Sequence, residues 1–191
     1  MGCASTHQAS GYLESYRRLQ EGDHFKQEYI SPQVNFSEFS KAQVLLPNMD
    51  YLDNKDRFLS EELFKLADSF QQNLEEQLSE TYLIISPRET PDEETLVVQP
   101  IITKIEPPER LLNLATLYLI GPSISSGHTA FEAKVLHGVT GEVLAEVAEK
   151  QTGAKNFRSL LYGGYTRFTH AKGAFKHWAK ELDELLEDNS Y

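Results

Sequence analysis

Cys3 is the only cysteine of the 191-residue chain and follows Gly2 directly, with the small polar run Ala4-Ser5-Thr6 behind it. A lone thiol makes no intramolecular disulfide, and one outside any hydrophobic pattern adds nothing to a core, so the chemistry it suits is covalent attachment of a lipid. Two routes fit the first six residues. Gly2-Cys3 could be the lipidated start left when a bacterial secretory signal is removed, with Met1 standing in for that signal. Alternatively Met1 is a genuine start, and Met1-Gly2-Cys3-Ala4-Ser5-Thr6 matches the M-G-x-x-x-[ST] pattern for myristoylation of Gly2, with Cys3 free to take a palmitoyl chain. Both end at a membrane surface.

Other chemistry is sparse. The six histidines (7, 24, 128, 137, 170 and 177) form no H-x3-H or HExxH spacing, so no metal is expected, and no glycine-rich phosphate loop precedes a helix, so no cofactor is expected either. The adjacent acids Glu61/Glu62, Glu75/Glu76 and Glu93/Glu94 lie on segments that read as solvated, without the separate environments that split a catalytic pair. No nucleophile elbow marks a serine. The expectation is a protein that is not an enzyme, without catalytic residues.

Two segments have the composition of contact surfaces. Leu111, Leu112, Leu114, Leu117 and Tyr118 belong to an apolar run that is either buried or a patch for a partner or a membrane. The Tyr162, Tyr165 and Arg167 loop gathers around Gly163-Gly164 the residue types enriched at interface hot spots. With 29 acidic against 18 basic residues, the formal charge of −11 repels phosphate backbones and anionic headgroups. Nucleic-acid binding is therefore not expected, and membrane contact is expected through the lipid on Cys3. The oligomeric state is unread. No stretch approaches the roughly 20 apolar residues of a membrane span.

The elements that must carry these residues follow from periodicity. Residues 1–10 read as lipid-anchor leader and tether, and 11–191 as a single domain opening on an ordered arm over 11–40 with a possible short helix at Leu13 to Leu19. Ala42 to Pro47 fits a strand. Ser60 reads as the N-cap of a helix to about Ser79, with Leu63, Leu66, Ala67, Phe70, Leu74 and Leu78 along one stripe. Tyr82 to Ser86 and Thr95 to Ile105 read as strands. Phe131, Ala133 and Val135 alternate with Glu132 and Lys134, and Val143, Ala145 and Val147 with Glu146, which predicts a hairpin with one buried and one wet face. It turns through Gly138-Val139-Thr140-Gly141, where both glycines offer the positive φ of a tight reversal. Ala171, Ala174, Phe175, Trp178, Leu182 and Leu185 form the stripe of a C-terminal helix. The fold class is α+β: a mixed, largely antiparallel sheet with a long helix and a C-terminal helix packed on one face, placing Phe131, Ala133 and Val135 in one core with Leu63, Phe70 and Leu74.

Taken together, Gly2-Cys3, Ser10-Gly11-Tyr12-Leu13, Tyr16, Leu19, Tyr29-Ile30, Asn35-Phe36-Ser37, Asp92 to Val98, Gly127 to Gly141 and Ala174 to Ala179 make the chain resemble the bacterial lipoprotein family catalogued as domain of unknown function 3313. The resemblance spans nearly the whole chain. It implies an envelope lipoprotein with no assigned activity, favours diacylglyceryl modification of Cys3 over myristoylation, and, with Ala4 rather than Asp after the cysteine, implies outer-membrane sorting toward the periplasm. The reading is a membrane-anchored, non-enzymatic interaction or accessory module with an envelope protein partner. The alternatives are an envelope enzyme or small-ligand binder with a cleft between arm and sheet, and a myristoylated and palmitoylated peripheral membrane protein.

Overall fold

The computed structural model describes residues 9–53, 55–105, 128–152 and 169–190. In chain order the elements are β1 (Gln27–Ile30), β2 (Lys41–Val44), α1 (Ser60–Leu78), β3 (Leu83–Ile84), β4 (Thr95–Ile105), β5 (His128–His137), β6 (Val143–Thr152) and α2 (Thr169–Asp188), with single 3-10 turns at Phe36–Glu38 and Lys55–Arg57. The strands form one sheet in the order β1-β6-β5-β4-β2-β3. Only the β2–β3 and β2–β4 pairings are parallel; the rest are antiparallel. This is the mixed, largely antiparallel α+β sheet that the patterns predict.

Alternation sets what each face carries. Phe131, Ala133 and Val135 of β5, with Leu96, Val98 and Ile102 of β4, share one core with Leu66, Phe70 and Leu74 of α1 and Phe175, Trp178 and Leu182 of α2, and Leu63 packs at its edge. At its centre the Trp178 ring stacks on Phe131 (4.3 Å between centroids), and Phe70 stacks on Phe175 (4.6 Å). Both helices thus cover the same face of the sheet, each by the apolar stripe its three- and four-residue spacing creates. No helix of the described residues is long and apolar enough to cross a membrane.

Three local readings change. The N-cap of α1 is Leu59 rather than Ser60; its backbone N–H is taken up by the Glu62 carboxylate (2.9 Å), which reaches back from the first turn as in the acidic half of a capping box. Leu13 to Leu19 is a run of turns without a helix. At the β5–β6 turn only Gly141 has positive φ (+69°). Gly138 serves a close approach instead, since a Cβ there would lie 2.6 Å from the Asp92 carbonyl oxygen and 2.8 Å from that of Thr95.

Candidate functional site

The face of β5 and β6 that alternation assigns to water is covered by the N-terminal arm, and its acids are buried. Glu132 and Glu146 are both 0% exposed. A carboxylate survives such burial only with donors around it, and here the arm supplies them. Glu132 accepts from the Ser10 hydroxyl (2.7 Å), the Tyr16 hydroxyl (2.7 Å) and the Ser10 amide (3.3 Å). Glu146 accepts from the Glu14 amide (2.9 Å) and from Arg18 Nε (2.9 Å), whose guanidinium also reaches Glu14 and lies 4.2 Å from the centre of the Tyr29 ring. At the other end of β6, Glu149 pairs with Lys26 through Nζ (2.7 Å) and the backbone amide (2.9 Å).

The arm is shaped for this by Ser10-Gly11-Tyr12-Leu13. Gly11 takes φ +85°, which an L side chain resists, and the Tyr12 amide closes the turn onto the Ser10 hydroxyl (3.1 Å). The chain then curls around the Tyr16 hydroxyl, which receives the amides of Gly11 (2.9 Å) and Tyr12 (3.1 Å) while donating to Glu132. Tyr12 runs across the sheet to donate to the Gln99 carbonyl (3.0 Å), with Lys134 Nζ 4.7 Å from its ring centre. Leu13 and Leu19 bury against Ala148 in a second, smaller core. Each residue of the motif therefore helps to dock the arm.

The electrostatics agree with a closed seam. Burial, followed by the charges of Tyr51, Glu132 and Glu146, pushes the Tyr12 hydroxyl far above its ordinary range, and burial does the same more mildly to Tyr16, keeping both neutral donors. For Arg18, burial works against the charge, but the hydrogen bond and charge of Glu146, with Glu14 behind it, outweigh it and raise its pKa. The carboxylates of Glu132 and Glu146 are thus engaged by the arm, and the seam is built to hold a segment in place.

Beside the seam, Arg18, Gln20, Glu21, Glu28, Tyr29, Ile30 and Pro32 line a half-open groove of about 460 Å³. Cys3 lies outside the described residues, as do Leu111, Leu112, Leu114, Leu117, Tyr118, Tyr162, Tyr165 and Arg167. Sequence reading missed Glu132 and Glu146 because strand alternation names a face without naming what lies on it. The available signal was the run of aromatic residues in the arm, which needed a surface to cover.

Three solved structures are similar to the chain at low identity. A PelC dodecamer from Paraburkholderia phytofirmans is 10% identical, with a TM-score of 0.48 over 82% of this chain and 94% of that one. A DUF330 protein from Xanthomonas campestris is 11% identical (TM-score 0.43, covering 83% of this chain and 86% of that one). The CT253 protein of Chlamydia trachomatis is 12% identical (TM-score 0.40, covering 80% and 98%). No curated protein matches the chain. The family described as protein of unknown function, DUF3313, matches residues 8–182, from just before the docked arm to within the last helix, and the chain belongs to that family.

Proposed function

We propose that the protein is a lipoprotein of the bacterial cell envelope, lipidated at Cys3, held at the outer membrane on the periplasmic side, and acting as a non-enzymatic interaction or accessory module for another envelope protein. The observation that carries this reading is the position of the docked arm. Ser10, locked to the buried Glu132, comes seven residues after Cys3, so a lipid there holds the sheet within about 25 Å of the bilayer. The buried acids of β5 and β6, gripped by the hydroxyls, amides and guanidinium of the arm, serve as the mechanical link between anchor and domain. The apolar 111–120 run and the Tyr162, Tyr165 and Arg167 loop remain the surfaces proposed for the partner.

The experiment is expression with the native upstream sequence in a Gram-negative host, followed by fractionation and mass spectrometry of the N-terminal peptide. Wild type is expected with outer membranes, carrying a diacylglyceryl group on Cys3, and Cys3→Ala as a free periplasmic protein of unchanged circular dichroism. Retention of Cys3→Ala on the membrane would sink the anchor. A myristoyl group on Gly2 would select the peripheral-membrane reading. The half-open groove favours a second reading as a small-ligand binder, but its Arg18 is already committed to Glu146.

A further inference from the structure

The fold brings one further set of groups together, at the other end of the arm. His177, Glu181, Glu184 and Asp188 fall at i, i+4, i+7 and i+11 of α2 and so share one helical face. The arm lays His24 against that face, 164 residues away from Asp188 in sequence. His24 Nε2 lies 3.0 Å from Asp188 Oδ2, and Nδ1 lies 3.6 Å from Glu181 Oε2. The other Glu181 oxygen is 3.3 Å from His177 Nδ1.

We propose that His24, Glu181 and Glu184 bind a divalent transition-metal ion of the zinc class. One ligand atom from each of the three lies within 4.8 Å of the others. Ligands about 2.0–2.1 Å from a tetrahedral zinc are about 3.3 Å from one another. The Nδ1–Glu181 separation is close to that and long for a hydrogen bond. The outer contact points the same way, because a metal-binding histidine characteristically donates its second ring N–H to a carboxylate. Asp188 occupies that place, and with the ring proton on Nε2 the Nδ1 lone pair faces the carboxylate of Glu181. The pairing of imidazole with carboxylates selects zinc-like ions over calcium or magnesium, which favour all-oxygen shells. Lys180, now paired with Glu184, has to release it; both side chains are substantially exposed, and such pairs hold weakly. Bound metal would staple the arm to α2.

The test is equilibrium dialysis and calorimetry of the tag-free full chain with zinc chloride, alongside calcium chloride. One zinc per chain is expected, with calcium not competing. His24→Ala and Glu181→Gln should each weaken binding roughly tenfold or more, and Asp188→Asn by roughly tenfold through the orientation of His24. His137→Ala, at the far hairpin, should leave it unchanged. Circular dichroism of each variant establishes that loss of zinc is not loss of fold. A folded wild type that retains no zinc from low-micromolar solution would overturn the proposal, as would full affinity in His24→Ala.

Discussion

A buried carboxylate is stable in proportion to the donors aimed at it, and this chain holds both outcomes. Glu132 and Glu146 are sealed from solvent yet surrounded by hydroxyl, amide and guanidinium donors. Asp183, buried on α2, has only the Gln77 side chain at 3.4 Å on one oxygen, and its other oxygen has no hydrogen-bond partner among the described residues. Burial, aided by the charges of Glu187, Glu80 and Glu184, pushes its pKa up to about 6 from 3.8. The folded state therefore holds the proton more tightly than the unfolded chain. Asp183 costs nothing below the unfolded pKa, grows destabilising as pH rises between the two values, and exerts its full penalty above about 6. Asp183→Asn is expected to stabilise the protein at neutral pH by roughly 1–3 kcal/mol and to lose that gain in mildly acidic buffer, as measured by urea melts across pH. Equal gains at all pH values would mean the benefit is not electrostatic.

At the scale of elements, the long periodic segments were readable and the path of the arm was not. The stripes of α1 and α2 and the alternation of β5 and β6 each repeat over several turns or pleats, so the buried face is written in their own residues. Trp178 shows the consequence: it sits fully buried among Phe70, Phe131 and Phe175. Trp178→Ala should cost about 3–5 kcal/mol in chemical denaturation, and a near-zero cost would detach α2 from the core. By contrast, β1 is only four residues long, all half-buried, and owes its register to pairing with β6 from Gln27 opposite Ala148 to Ile30 opposite Ala145. Nothing in Gln-Glu-Tyr-Ile announces that partner. Leu13 to Leu19 has helix-like spacing, but the amides of Tyr12 and Leu13 turn in on the Tyr16 hydroxyl and the Glu14 amide is taken by Glu146 of the sheet, so long-range docking holds the segment in bends. The candidate metal cluster was unreadable for the same reason, since spacing rules look along the chain while His24 meets α2 across it.

For the whole molecule, one sheet carries two unequal cores: a large one under the helices, and a small one of Leu13, Leu19 and Ala148 under the arm. That inequality implies that the first turns of the arm, residues 10–20, open before the domain unfolds, because their apolar burial is slight and their docking rests on polar contacts, whereas Phe25 and Phe36 further along are anchored in the large core. Arg18 is the place to test this. Removing it leaves Glu146 buried with the Glu14 amide as its remaining donor in the seam, a loss worth roughly 3–5 kcal/mol if the burial persists. The arm can avoid that cost by lifting away and admitting water to Glu146. In Arg18→Ala, hydrogen exchange at the Glu14 and Gln20 amides should accelerate by one to two orders of magnitude, about 1–3 kcal/mol in local opening, while the amides of β5 stay nearly as protected as in wild type. Arg18→Lys should restore only part of the protection, since a lysine keeps the charge but loses the planar stacking over Tyr29. If β5 exchanged as fast as the arm, the two cores would be a single cooperative unit. A pull on Cys3 would then load the entire fold, instead of first peeling a strap from its outer face.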